Sequence, residues 1–354
     1  EGVIYNARDM AITRASFENI PIHLISSIPS METYNNIRNK KYKHIKIQKR
    51  FDNFPLPETK LINLNINKVK NKFIAKETID LVNQYLEKQE QVLFFINRRG
   101  FAPYLICTKC GKKLVCSNCS LYLTFHKIKN KAICHHCSFE KKIETKCDNS
   151  GNCKFVMYGP GVEKIYEEVK EIFPEKKINI FSSDYLNKKE KTEKLFKEIK
   201  ENKIDILIGT QMISKGFNFP NLNCIVVVDA DFSGRGYDLR TTEKNIQLYH
   251  QLSGRAGREG NVSTILFQTY TPDDEVLLNL SKNNPDEFLK KELLLRKDKK
   301  LPPFYRLVSL IISGKSEDLI MKFAINIKSK IPKINEVNIL GPVLAPITKL
   351  KKKY

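Results

Sequence analysis

The 354-residue chain carries a formal charge of +22, nine cysteines and 41% apolar residues. That apolar share suits ordinary packed cores, and no stretch approaches the ~18 apolar residues of a membrane span. The opening EGVIYNARDM lacks a basic segment followed by an apolar one, so it does not read as a secretory signal peptide.

The positive charge favours a polyanionic partner, with nucleic acid ahead of a membrane surface. The chain is also rich in Lys, Asn and Ile, a bias that AT-rich codons alone produce, so charge by itself is a weak argument.

In chain order, residues 22–25 read as a short apolar strand, followed by Ser26-Ser-Ile-Pro-Ser30. Residues 35–60 are basic and polar, with Pro55 and Pro57, as in a linker or extended crossover. Residues 75–88 place Ile79, Leu81, Val82, Tyr85 and Leu86 at helical spacing, and a strand is expected at 91–96. A cysteine block follows.

Beyond that block, Val162, Ile165, Tyr166, Val169 and Ile172 predict a helix over 161–173. The pattern continues with a strand at 178–181, a charged helix near 187–202, strands at 204–208 and 224–228, a helix near 242–257 and a strand at 264–269. Strands alternating with helices predict a parallel sheet with helices on its faces, and the cysteine block reads as an insertion in that series. After Pro272 the pattern changes. A helical stretch at 273–297, Leu301-Pro-Pro-Phe304, a strand at 307–312, a helix at 316–331 and Ile339-Leu-Gly-Pro-Val343 read as a small α+β domain.

Eight of the cysteines lie within 47 residues, as Cys107-x2-Cys110, Cys116-x2-Cys119, Cys134-x2-Cys137 and Cys147-x5-Cys153. Zinc takes four soft ligands in a tetrahedron, and a Cys-x-x-Cys turn supplies two of them from one knuckle. Four pairs therefore predict two structural zinc ions, and Gly111 suits the turn after Cys110. The fourteen residues between Cys119 and Cys134 fit a zinc-ribbon hairpin. The competing reading is a set of buried thiols or disulfides, which the tight pairing disfavours. The fourth pair is wider than a knuckle, with Ser150 at the expected second position, and His135 and His136 are the alternative ligands. Lys109, Lys112 and Lys113 surround the first knuckle and Tyr122 and Phe125 follow the second. That combination suits single strands or fork junctions, and equally suits aromatics packing a small zinc core.

Two further segments carry motor chemistry. Asp205-Ile-Leu-Ile-Gly-Thr-Gln-Met-Ile-Ser-Lys-Gly216 is a buried strand followed by a polar, glycine-containing loop. Gln247-Leu-Tyr-His-Gln-Leu-Ser-Gly-Arg-Ala-Gly-Arg258 is a helix ending in two arginines beside glycines. Both loops are expected at the carboxyl ends of the strands, where ligands bind in open α/β sheets. Arg255 and Arg258 there could reach a γ-phosphate held by a neighbouring lobe. Asp229-Ala-Asp231 reads as a strand end facing that cleft rather than a metal pair, and Cys224 as a core residue.

Gln251-Leu-Ser-Gly-Arg-Ala-Gly-Arg258 resembles motif VI of superfamily 2 helicases, and Gly209-Thr-Gln-Met resembles motif V. Asn97-Arg-Arg-Gly-Phe-Ala-Pro103 before the first Cys-x-x-Cys, Cys134-His-His-Cys137, Ser26-Ser-Ile-Pro-Ser30 in the place of motif III, and Leu301-Pro-Pro-Phe304 narrow the match. Together they resemble the primosomal replication-restart DNA helicases over nearly the whole chain.

The resemblance implies a 3′→5′ ATP-dependent helicase that binds stalled or D-loop forks and helps reload the replicative helicase. It implies a RecA-like parallel-sheet lobe with an inserted zinc-ribbon-like module and a small α+β C-terminal domain. On that reading residues 1–34 are the end of a first lobe, 35–65 a linker, 66–106 and 154–271 the second lobe, 107–153 the zinc insert and 272–354 an incomplete C-terminal domain.

The implied motor residues are Arg255, Arg258 and Gln251, with Gly209, Thr210, Gln211 and Gly254 toward the nucleotide. The implied cofactors are two zinc ions, ATP and Mg²⁺. The implied partners are forked or single-stranded DNA, primosome loader proteins and single-stranded-DNA-binding protein, in a bacterial cytoplasm.

The sequence departs from the family at Ile28, where motif III has Ala, at Lys215-Gly-Phe217, where motif V has Lys-Gly-His, and in the spacing before Cys153. It contains neither Gly-x4-Gly-Lys-Ser/Thr nor Asp-Glu-x-His, which the family carries upstream of this region, so this chain alone is expected to be inactive. The alternatives are a non-catalytic zinc-dependent DNA- or primosome-binding module and a zinc-ribbon RNA-processing factor on a related motor.

Overall fold

The computed structural model describes residues 5–47, 53–67, 73–96, 104–107, 113–118, 122–126, 131–134, 139–142, 155–159, 161–182, 189–214, 219–231, 239–332, 334–345 and 347–354. The first elements are α1 (Ala7–Glu18), α2 (Met31–Arg38), β1 (Glu58–Asn63), α3 (Lys76–Glu87) and β2 (Gln91–Phe95). The insert contributes β3 (Tyr104–Cys107), β4 (Thr124–His126), β5 (Lys131–Ile133), β6 (Glu140–Lys142) and β7 (Phe155–Tyr158). Then come α4 (Val162–Ile172), β8 (Ile178–Phe181), α5 (Lys189–Lys200), β9 (Ile206–Gly209), a 3-10 turn (Gln211–Ser214) and β10 (Leu222–Val227). The chain continues through α6 (Thr241–Ser253), β11 (Thr264–Thr269), α7 (Glu275–Ser281), α8 (Pro285–Asp298) and α9 (Glu317–Lys330).

Six strands form one sheet in the order β1-β11-β10-β2-β9-β8, and every pairing is parallel. Both faces are covered, as the near-continuous apolar runs of these strands require. Leu93, Phe95, Leu207, Ile225, Val227, Ile265 and Phe267 pack on one face with α5 to α8. The alternate residues Val92, Phe94, Ile206, Ile208, Cys224, Val226 and Leu266 pack on the other with α3 and α4. The result is a three-layer α/β/α unit, as the alternation of elements predicts, and Cys224 is indeed core. Its burial pushes the thiol far above its usual range, so it is inert. Among the described residues no helix is long and apolar enough to cross a membrane.

Four expectations change. Residues 22–25 are extended without strand pairing, with Ile25 exposed. Residues 307–312 form no strand either, with Val308 86% and Ile311 85% exposed. Among the described residues no strand lies beside either apolar run to take its backbone N–H and C=O groups, and pattern alone does not supply one. The linker reading of 35–65 fails at its end, because β1 pairs residue for residue with β11 along the sheet edge. The boundary at 272 also moves. Val276, Leu277, Leu280, Phe288, Leu289 and Leu293 of α7 and α8 share the core of the sheet, so those helices belong to the lobe. Ile28 and Met31 are fully buried in that same core, which accounts for an isoleucine where a smaller residue would leave a gap.

Candidate functional site

Gly209 closes β9 level with Phe95 of β2 and Phe181 of β8, at the carboxyl edge of the sheet. A Cβ there would stand 3.1 Å from Ile213 Cδ1, so glycine lets the following 3-10 turn fold back tightly. Thr210 is buried and Gln211 exposed. The Ile213 N–H donates to the Thr210 carbonyl at 3.0 Å, closing the turn. Lys215, Gly216 and Phe217 lie outside the described residues.

Helix α6 buries Ile246, Tyr249 and Leu252, spaced three apart on one face. The Tyr249 hydroxyl donates to the Ala230 carbonyl at 3.1 Å, and its ring meets Phe267 edge-on at 5.1 Å. Gln251 lies on the exposed side.

Past the helix end the chain makes a tight reversal. The Gly257 N–H donates to the Leu222 carbonyl at 3.1 Å. Gly257 has φ +62°, and a Cβ would lie 2.3 Å from Ser263 Oγ, so only glycine fits. Gly254 differs. It has ordinary helical φ, and a Cβ would meet nothing closer than backbone oxygens at 3.5 Å. Nothing within the described chain demands a glycine there.

This reversal brings Arg255 and Arg258 together. Arg258 Nε donates to the Gly254 carbonyl at 3.1 Å, capping the negative end of α6. Burial, and then the like charge of Arg258, lower the pKa of Arg255. Two neighbouring guanidiniums, one half-buried, favour an anion of phosphate type between or beside them.

The expectation that both motor loops lie at the carboxyl ends of the strands holds only for Gly209, Thr210 and Gln211. Leu222 is level with Gln91, and Val227 with Phe95. Four residues of strand therefore separate the Gly209 level from the Leu222 level, about 13 Å. The reason is the direction of α6. It leaves the carboxyl edge after β10 and runs back against the strands, so its far end reaches the amino edge. Gln251, Gly254, Arg255 and Arg258 form one group, and Gly209, Thr210 and Gln211 another. Packing of α6 on the 3-10 turn joins the two.

Asp231 is occupied structurally. Its carboxylate accepts from the Tyr270 N–H at 2.6 Å and the Thr271 hydroxyl at 2.7 Å, and also from the Thr269 hydroxyl. It clasps the exit of β11 to that of β10.

Sequence reasoning missed Gln268 and Glu168. Gln268 Oε1 accepts from the Ala75 N–H and the Thr78 hydroxyl, each at 2.8 Å. Its Nε2 donates to Phe73 and Val228 carbonyls at 2.7 and 3.1 Å. The buried Glu168 carboxylate accepts from the Phe73 and Ile74 N–H groups at 3.0 Å. Together they satisfy the backbone donors leading into α3. The available signal was a glutamine inside the apolar run of a parallel strand, where an unpaired amide is costly.

The cysteine insert stands on a two-stranded stem. β3 pairs antiparallel with β7, Cys107 opposite Phe155, so the insert is rooted from Tyr104 to Tyr158. β4, β5 and β6 form a small antiparallel sheet beyond it. Cys107, Cys116 and Cys134 are buried. The Asn118 N–H points at Cys116 Sγ, 3.4 Å away. An amide two residues on donating to a cysteine sulfur fits the knuckle that a Cys-x-x-Cys thiolate pair makes around zinc. Cys110, Cys119, Cys137, Cys147, Cys153, His135, His136, Lys109, Lys112 and residues 97–103 lie outside the described residues. Among the described residues no three His, Cys, Asp or Glu side chains gather as a metal site. The two aromatics part company: Phe125 is core, while Tyr122 is exposed with Lys113 Nζ 4.8 Å above its ring.

Residues 128–260 match the family described as helicase conserved C-terminal domain, and residues 297–354 match the primosomal protein N C-terminal domain. The replication restart protein PriA of Rickettsia conorii is 40% identical over 356 aligned residues, covering 100% of this chain and 55% of that protein. The chain belongs to the PriA family. PriA of Haemophilus influenzae is 36% identical, covering 99% of this chain and 48% of its own, and PriA of Bacillus subtilis is 29% identical, covering 99% and 44%. The chain thus spans about half the length of the curated PriA proteins it matches. Among solved structures, S. cerevisiae Dbp5 bound to RNA and ADP BeF3 aligns over 82% of this chain and 58% of its own. Its TM-score is 0.39 at 12% identity, a likeness too slight to argue from.

Proposed function

We propose that this chain is the second motor lobe, zinc insert and C-terminal region of an ATP-dependent 3′→5′ DNA helicase that acts in replication restart. The observation that carries the reading is the Arg255–Arg258 reversal, pinned by Gly257 to Leu222, in a chain that aligns end to end with PriA proteins. Arg255 and Arg258 reach the phosphates of an ATP held chiefly by another lobe, and Gln251 and Gly254 shape the same surface. Gly209, Thr210 and Gln211, at the opposite edge, transmit the nucleotide state toward the bound strand. Mg²⁺, when bound, neutralises the phosphate charge that these arginines share. The chain alone lacks the phosphate-cradling lysine and the Mg²⁺ ligands, so it does not turn over ATP.

The partner is forked or single-stranded DNA, held through backbone phosphates, and the working place is the bacterial cytoplasm alongside loader proteins and single-stranded-DNA-binding protein. Two zinc ions in the cluster Cys107, Cys110, Cys116, Cys119, Cys134, Cys137, Cys147 and Cys153 hold the insert rigid beside the lobe. Zinc chemistry fits the donors: three buried cysteine side chains and a backbone amide already turned to one sulfur. The test is strand separation by the complete protein. ATP-dependent release of a labelled strand from a forked duplex, with 3′→5′ polarity, is expected. Release of RNA duplexes in preference to DNA would overturn the proposed substrate.

A further inference from the structure

The motor reading leaves one buried group of charges unused. Arg296, on the final turn of α8, has 4% of its side chain exposed. Its Nε donates to Glu292 Oε1 at 2.8 Å, and its Nη2 donates to the Leu239 carbonyl at 3.2 Å. The same Nη2 lies 3.3 Å from Glu243 Oε2, a side chain only 5% exposed in the first turn of α6. Arg240, just before α6, pairs with Glu32 of α2 at 2.6 Å. A row of alternating charges therefore joins α8, the start of α6 and α2.

Burial makes this an expensive way to join helices, since apolar side chains of similar volume are often as stabilising or better. Burial first, and then Glu32, raise the pKa of Glu243, although Arg296, Arg240 and the backbone of Met31 pull the other way. What the charges add is direction. The guanidinium is oriented by its hydrogen bonds to the Glu292 carboxylate and the Leu239 carbonyl, and so oriented it sets its ion pair with Glu243, whereas apolar contacts permit sliding.

Sliding matters because α6 is a rod. From Glu243 to Ser253, where α6 ends, the helix runs ten residues, about 15 Å, and Arg255 follows two residues later. Polar contacts near the start of α6 reach outside the sheet: Glu243 meets Arg296, Arg240 meets Glu32, and Gln247 Nε2 donates to the Ile28 carbonyl at 3.3 Å.

We infer that Arg296 is a positioning residue for the arginine pair: by holding Glu243 it sets the placement of α6, and with it Gln251, Arg255 and Arg258. This rests on the proposed role of those residues toward ATP. It also gives the region after α8, matched by the primosomal C-terminal family from residue 297, a direct lever on the motor site.

The test uses the complete protein with the paired apolar variant Glu243→Leu/Arg296→Met, and separately Arg296→Lys, which keeps the charge and loses the fork. The paired variant should keep its Tm to within about 3 °C. Its DNA-stimulated kcat should fall about tenfold while KM for ATP stays within about twofold. Arg296→Lys should not restore kcat. An unchanged kcat in the paired variant overturns the inference, as does a Tm loss above about 10 °C, which makes the pair a stability element only. If the wild type itself shows no DNA-stimulated hydrolysis, the motor reading has failed, and amide exchange over α6 then decides for Arg296. Faster exchange at both ends of the helix at unchanged Tm supports positioning, and unchanged exchange rejects it.

Discussion

The central sheet buries long apolar side chains on both faces, from Ile28 to Leu293 on one and from Ile62 to Leu266 on the other. The cysteine insert, by contrast, has Leu105, Cys116, Leu123, Phe125, Ala132 and Cys134 as its buried cluster among the described residues. The sheet holds itself by area; the insert is too small for that. In the proposed reading, zinc held by the crowded cysteines makes up that difference. The contrast also separates the two kinds of damage the molecule can suffer.

The largest effect should come from metal removal. Zinc analysis should give two ions per chain, and a strong chelator should unfold the insert, opening 104–158 to protease while far-ultraviolet ellipticity from the sheet persists. Structural zinc sites in finger peptides contribute on the order of 10 kcal/mol, as much as the buried side chains of this small cluster supply together. If the insert resists protease equally with and without chelator, the contrast collapses. A Cys153→Ser variant that keeps both ions moves that ligand to His135 or His136.

Within the lobe, single substitutions should act without touching zinc. Gly257→Ala forces a side chain onto Ser263 at φ +62°, and a loss of about 2–3 kcal/mol in urea unfolding is expected. Gly254→Ala, in ordinary helical geometry, should be neutral or stabilise by up to about 1 kcal/mol. If it also depresses ATP hydrolysis, the space beside Gly254 serves the ligand. Equal destabilisation by both would mean the reversal is not the fixed point described above.

The smallest effect concerns pH. Burial lowers the pKa of His250, so the folded lobe prefers the neutral ring. Its contribution is present above the ordinary histidine pKa of about 6.5 and is lost as pH falls through the lowered folded value. Tm should decline on acidification through that window, and His250→Gln should show a shallower decline. Parallel curves would rule out His250 as a source.

Much of the lobe was legible beforehand because its signals are local and redundant. Runs such as Cys-Ile-Val-Val at 224–227 suit a strand buried on both faces, and Val162, Ile165 and Val169 mark one face of a helix. The Cys-x-x-Cys spacing is a signal of the same local kind, and the zinc it points to stands as a proposal. What stayed hidden depends on partners distant in sequence. β1 is a strand only because β11 lies beside it, and 307–312 has no such neighbour among the described residues. The edge on which Arg255 and Arg258 stand follows from the direction of α6 against the strands, which no residue pattern states. Gln268 and Arg296 look like ordinary polar residues until the groups they satisfy, from Phe73 to Glu243, are brought together.

The central claim is that the lobe completes an ATP site through its arginine pair. The most direct measurement is DNA-stimulated ATP hydrolysis by the complete protein with Arg255→Ala against wild type, at matched Tm. Loss of a transition-state arginine should lower kcat by at least about a hundredfold, with zinc content unchanged. Hydrolysis by Arg255→Ala at the wild-type rate would contradict the account.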